Sequence, residues 1–138
     1  MEKRFELTAS SEVLSPFRKE LRQILNQAGW EKKTAEEILL AADEALTNII
    51  RHAYEGKPGT MTVSVLTDEE KIEIVLEDRG KKFDPTRVPS PELPRHQPGG
   101  LGIHFIRTIM DQMIYDDQGP AGNRLRLIKH KKKSEKGR

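Results

Sequence analysis

Glu44 and Asn48 stand four residues apart in a helical pattern, so a carboxylate and an amide rise one above the other from one helix face. An amide oxygen can ligate a magnesium ion that takes its other ligands from water and phosphate. A neighbouring carboxylate can orient or deprotonate an attacking hydroxyl. Further on, Asp78-Arg79-Gly80 closes a candidate strand. An aspartate there can accept the exocyclic amino hydrogens of adenine, and Gly80 lets the backbone come close to the ring. Gly99-Gly100-Leu101-Gly102 then opens a candidate helix, where free N–H groups and the positive dipole end offer a seat for phosphates. Alone, each segment also fits a commonplace role: a polar helix face, a turn at a strand end, or a flexible loop entering a helix. In this order, with a strand pair between the first two and a proline-rich loop between the last two, they point to a nucleotide site.

The glycine run is neither a P-loop, since no Lys-Ser/Thr follows, nor a Rossmann turn, since no strand immediately precedes it. Arg95 and His96, in the loop before it, are within sequence reach of a phosphate. No histidine spacing suggests zinc, and no Ser/His/Asp arrangement stands out.

These residues need elements to position them. Alternating Phe5 and Leu7 suggest a first strand. Ser15-Pro16 reads as a cap and first turn, with Phe17, Leu21, Ile24, Leu25 and Ala28 on one helix face that stops at Gly29. Thr34 and Glu37 form a capping-box pattern for a second helix that runs to about Tyr54, with Ile38, Ala42, Ala45, Ile49 and Ala53 as its core stripe. Trp30 is placed between the two helices. Met61, Val63, Val65 and Ile72, Ile74, Leu76 alternate on either side of Asp68-Glu69-Glu70, which predicts a hairpin with one buried face. Asp84 to Pro98 carries five prolines and no apolar periodicity, the composition of a long loop or lid. A third helix from Leu101 shows Ile103, Ile106, Ile109, Met110 and Met113 at helical spacing. Two closing strands follow, around Ile114-Tyr115 and Leu125-Leu127. The order β-α-α-β-β-loop-α-β-β predicts an α+β two-layer sandwich: a mixed, mostly antiparallel sheet with helices on one face.

The chain has 138 residues, enough for one domain with a real core, placed at residues 1–130, with a basic disordered tail at 131–138. A net charge of +2 is too small to argue for nucleic acid, and most of the excess base sits in that tail. The absence of cysteine excludes disulfides, thiolate metal sites and cysteine nucleophiles, and fits a reducing compartment. No apolar run reaches signal-peptide or membrane-spanning length, so the expected location is cytoplasmic, without membrane or direct nucleic-acid partners.

Over residues 5 to 130 the segments resemble the GHKL (Bergerat-fold) ATPase superfamily of DNA gyrase, MutL and the histidine kinases. Within it they are most similar to the anti-sigma-factor serine/threonine kinases of the sigma-B and sporulation type. Glu44-x-x-x-Asn48 followed by Ile49-Ile50-Arg51-His52-Ala53-Tyr54 is similar to the N-box, and Asp78-Arg79-Gly80-Lys81-Lys82-Phe83-Asp84 to the first glycine box. Gly99 to Asp111 is similar to the second box and its helix. The resemblance implies Glu44 as catalytic base, Asn48 as magnesium ligand, Asp78 as adenine reader and Gly80 as a lining of the base pocket. Gly100, Leu101 and Gly102 would form the phosphate seat, with ATP and Mg2+ as cofactors. It also implies a sigma factor and an anti-anti-sigma (STAS-type) antagonist as partners, and a homodimer. Two positions depart from the pattern: Lys82 stands where a second glycine is frequent, and Asn123 where a threonine near adenine is usual.

Two functions fit these residues. One is a protein kinase in which Glu44 handles the proton of an acceptor serine or threonine as it attacks the γ-phosphate of ATP. The other is a non-catalytic, ATP-gated protein-binding module. A binder needs Asn48 and Asp78 but has no use for a base, so Glu44 favours the kinase.

Overall fold

Met61, Val63 and Val65 of β2 (Thr60–Thr67) and Ile72, Ile74 and Leu76 of β3 (Lys71–Asp78) alternate with polar residues and are all buried. The two strands pair antiparallel, Val63 opposite Leu76 and Met61 opposite Asp78. Their turn is closed by Asp68, whose Oδ1 accepts the N–H groups of Glu70 and Lys71. The structure, a computed structural model, describes residues 1–89 and 101–132.

With β1 (Glu2–Thr8), β4 (Gln112–Asp117) and β5 (Asn123–His130) these strands form one five-stranded sheet in the order β1-β2-β3-β5-β4. The sequence allowed a mixed sheet; all the pairings among the described residues are antiparallel. The β3–β5 pairing sets Asp78 directly opposite Asn123.

Among the described residues, three helices supply the second layer. On α1 (Leu14–Gln27), Phe17, Leu21, Ile24 and Leu25 are buried, each stabilising the fold by roughly 1.5–3 kcal/mol relative to exposure. Phe17 meets Phe5 edge-on, ring centroids 5.2 Å apart. The expected Ser15 cap is displaced: a 3-10 turn, Ser11–Val13, capped by the Ser10 side chain, runs straight into α1. Pro16 therefore falls within the first helical turn, where its missing N–H costs no intrahelical bond. The helix ends before Gly29, at φ +82°.

The second helix, α2 (Lys32–Asn48), starts two residues before Thr34. Thr34 is buried inside the first turn rather than capping it, and Glu31 takes the extended cap conformation instead. The whole predicted stripe, Ile38, Ala42, Ala45, Ile49 and Ala53, is buried. Beyond Asn48 the backbone widens into a π turn, Ile49–Ala53, so the helical run ends where the sequence suggested but with altered geometry. Such turns are rare and concentrate at functional sites.

Ile103, Ile106 and Ile109 of α3 (Leu101–Ile109) are buried, as is Met110 just after it. Met113 belongs to the edge strand β4 and not to this helix, because the chain leaves the helical path at Asp111, whose N–H donates to Ile128 O on the neighbouring β5. Lys131, assigned to the basic tail from sequence, is buried. Its N–H donates to Glu70 O at 2.7 Å, and its ammonium bonds the Ala28 carbonyl and lies 5.6 Å from the centre of the Trp30 ring.

Candidate functional site

The π turn, the end of β3 and the β4–β5 strands converge on one pocket. Ala45, Asn48, Ile49 and Ala53 line its helical wall, and Asp78, Tyr115, Asn123 and Leu125 its sheet wall. Phe83, Pro85 and Ile106 complete it. The pocket is thus largely apolar with a few convergent polar groups, the usual character of a small-molecule site.

Asp78 is buried at the pocket wall. Its Oδ1 accepts Asn123 Nδ2 at 2.8 Å and Gly80 N at 2.9 Å, while among the described residues nothing donates to Oδ2. Burial pushes its carboxyl above the ordinary carboxylate range, against the opposing pull of Asn123, Gly80 and the Lys82 charge. Asn123 carries the surrounding network. Its Nδ2 also donates to Lys81 O at 3.0 Å, and its Oδ1 accepts the Tyr115 hydroxyl and, at 3.4 Å, Phe83 N. A buried amide with partners on both ends fixes the pocket wall rather than merely filling it.

Gly80 faces Ala53. A Cβ at position 80 would stand 2.5 Å from Ala53 O, and the next residue, Lys81, donates its N–H to that same carbonyl at 2.7 Å. The glycine lets the loop after β3 press against the π turn. Tyr54 closes the same corner: its hydroxyl donates to Thr60 O at 2.6 Å and accepts Arg79 N at 2.9 Å. His52 stacks on Phe83 with centroids 4.5 Å apart, and burial, then the Arg51 charge, lower its pKa.

Glu44 sits where α2 meets the first turn of α3. A Cβ placed on Gly102 would overlap Glu44 Oε2, so the carboxylate rests against the backbone of the helix start. Asn48 lies one turn along α2, and its Nδ2 is buried with no hydrogen-bond partner among the described residues. Its amide is therefore not consumed by the protein. Leu101 begins α3, whereas Gly100, with Gly99, Arg95 and His96, lies outside the described residues. Arg107 ties α3 to the start of the proline-rich loop, donating to Pro85 O and Thr86 O.

The tertiary fold thus brings Asn48 and Asp78 to one pocket and Glu44 to Gly102. Tyr54, Lys82, Tyr115 and Arg107 are the site-shaping residues that motif reading passed over. Tyr54, Lys82 and Arg107 lie inside the quoted motif segments without a role assigned to them there, and Tyr115 was visible only as part of a strand pattern.

Comparison with known proteins agrees with this architecture. The family described as the histidine kinase-like ATPase domain matches residues 7–129. A serine-protein kinase RsbW of Listeria monocytogenes is 32% identical over 141 residues, covering 94% of this chain and 89% of the relative. The protein of the same name from Staphylococcus aureus is 30% identical over 88% of this chain and 83% of its own length. Among solved structures, the RsbU and RsbW domains of a Mycobacterium tuberculosis protein superpose with a TM-score of 0.67 at 17% identity, spanning 94% of this chain but 32% of that one. The histidine kinase domain of a blue-light activated histidine kinase of Erythrobacter litoralis shares the fold at a TM-score of 0.50 and 17% identity, over 83% of this chain and 59% of that one.

Proposed function

The chain belongs to the histidine kinase-like ATPase family, and from that premise we propose that it is an ATP-dependent serine/threonine protein kinase that acts as an anti-sigma factor. Its substrate is an anti-anti-sigma antagonist of the STAS type, and its second partner a sigma factor released or sequestered according to the antagonist's phosphorylation. In this reading it regulates transcription from the cytoplasm as a homodimer. Among the described residues no helix is long and apolar enough to cross a membrane.

The observation that carries the kinase reading is Glu44 Oε2 against Gly102. A carboxylate to which no hydrogen bond runs among the described residues waits beside the helix start that would seat the phosphates. The adenine base enters the Asn48–Asp78–Asn123 pocket, its amino group donating to Asp78. The helix start and Gly100, Leu101 and Gly102 seat the phosphates. The acceptor hydroxyl attacks the γ-phosphorus, its proton passes to Glu44, and the bond to the β-phosphate oxygen breaks to release ADP. Positioning supplies most of the acceleration, since the reaction asks little covalent chemistry of the protein.

The Asn48 amide fits a magnesium ion because its buried nitrogen has no partner among the described residues and no hydrogen bond there holds its side chain in one orientation, so the oxygen can be presented to a cation. Among the described residues no cluster of three His, Cys, Asp or Glu could hold a metal, so the ion would take its other ligands from phosphates and water and neutralise phosphate charge.

Incubation with labelled ATP and candidate antagonist proteins from the same genome tests this reading. Transfer to a serine or threonine, lost in Glu44→Ala with nucleotide binding retained, is the expected result. Nucleotide-dependent partner binding with no transfer would show a binding module instead.

A further inference from the structure

Three oxygens converge on a single ammonium beside the pocket. Lys82 Nζ donates to Gly119 O at 2.6 Å and to Gly122 O at 2.5 Å, and lies 2.7 Å from Asp117 Oδ1. That matches the full donor capacity of an ammonium group. We propose that Lys82 is a positioning residue for the base end of the nucleotide pocket: a tethered cation that holds the β4–β5 turn against the loop after β3, so that Asn123 and Asp78 are set before nucleotide arrives. The proposal rests on the nucleotide reading above and gives a role to a residue to which the first glycine box assigns none.

The turn that Lys82 holds is mechanically connected to the pocket. The turn Gly119–Ala121 is fixed from within, because Asp117 Oδ1 also accepts Gly119 N at 2.8 Å. Gly122 follows with φ +113°, and a Cβ there would overlap Asp78 O and stand 2.8 Å from Arg79 Cα. Its backbone therefore rests on the very residues that end β3. The next residue is Asn123, which bonds Asp78, Lys81 O and Phe83 N. On the other side of the contact Lys82 lies between Lys81 and Phe83, both already tied to Asn123. The ammonium thus clamps the middle of a loop whose two flanking residues meet the amide it supports.

A bland alternative is an exposed lysine in a surface ion pair. Lys82 is 44% exposed and Asp117 59%, so the charge pair alone contributes little. The two carbonyls distinguish the cases. A surface pair needs only Asp117, whereas a lysine bonding both Gly119 O and Gly122 O restrains the turn's backbone. Without it, the cost of ordering the turn and loop moves from folding to nucleotide binding.

The test is calorimetric titration of the full chain with ATP and, separately, with adenosine, for the wild type, Lys82→Met and Lys82→Ala. Lys82→Met is expected to raise Kd for both ligands by the same factor, about three- to tenfold. Methylammonium added to Lys82→Ala is expected to restore part of the affinity, which loss of fold would not allow. Asp117→Asn, at an exposed position, gives a milder loss in the same direction and serves if the lysine variants fold poorly. A wild-type Kd in both Lys82→Met and Asp117→Asn overturns the inference, as does a loss seen with ATP but not with adenosine. Failure of the wild type to bind either ligand would instead remove the nucleotide reading itself.

Discussion

Asn123 and Asp78 oppose each other in the β5–β3 register and are joined by a 2.8 Å bond from Nδ2 to Oδ1, both side chains buried. This bond occupies one carboxylate oxygen and leaves the other as an acceptor. Asn123→Ala removes the donor, leaves Asp78 less well solvated and frees the Tyr115 hydroxyl and Phe83 N. A hydrogen bond to a charged group stabilises by about 1.5–3 kcal/mol, so ATP affinity should fall about tenfold or more. Titration calorimetry reads this directly; an unaltered Kd would show that Asp78 orients itself.

The raised pKa of Asp78 makes stability depend on pH in a defined direction. Because the folded carboxyl holds its proton more tightly than the unfolded one, the folded state carries more protons above the ordinary value of about 3.9. Stability from this group is therefore fully present below that value and is lost as pH rises through the raised folded value. The stability difference between wild type and Asp78→Asn should decline across that window and then level off. Urea unfolding at a series of pH values measures it, and a difference that grows with pH would contradict the assignment.

Gly102→Ala puts a Cβ into Glu44 Oε2. The carboxylate must then swing away from the helix start. Misplacement on the order of 1 Å at a reacting group can cost about a hundredfold in rate, so turnover should drop by about tenfold or more with ATP affinity changed far less. Steady-state kinetics alongside direct binding separates the two; equal losses in both would show that the glycine serves the phosphates alone.

Asn48→Ala should weaken ATP binding in magnesium buffer while leaving binding in chelator nearly unchanged. A magnesium titration of ATP affinity monitors the difference, and identical magnesium dependence in variant and wild type would remove the residue's metal role.

Gly80→Ala meets backbone, the Ala53 carbonyl, 2.5 Å from the new Cβ. Backbone cannot yield as a flexible side chain would, so a loss of about 1–3 kcal/mol is expected from overpacking. Urea denaturation decides; a variant as stable as the wild type would mean that the π turn and the loop after β3 are not locked together.

Much of this molecule was legible from local pattern. Period-two alternation at Met61–Val65 and Ile72–Leu76 and helical spacing at Phe17–Leu25 and Ile38–Ala53 named elements, because side-chain periodicity is a property of the local backbone. Motif spacing named Glu44, Asn48, Asp78 and the glycines for the same reason. Element starts were less legible. Ser15 and Thr34 both look like caps, but Thr34 is drawn into the core and Ser10 captures the start of the 3-10 turn before α1. Met113 kept the helical spacing of its neighbours yet was taken by the sheet edge.

The sequence by itself determined the order of elements, the apolar faces that would be buried, and the residue types able to handle a nucleotide. Tertiary structure alone decided which of them meet. Gly102 reaches Glu44, Gly122 rests on Asp78, and Lys82 finds two carbonyls about forty residues away. Such contacts leave no sequence signature, since every residue offers a carbonyl and only packing selects which one an ammonium or an amide will find.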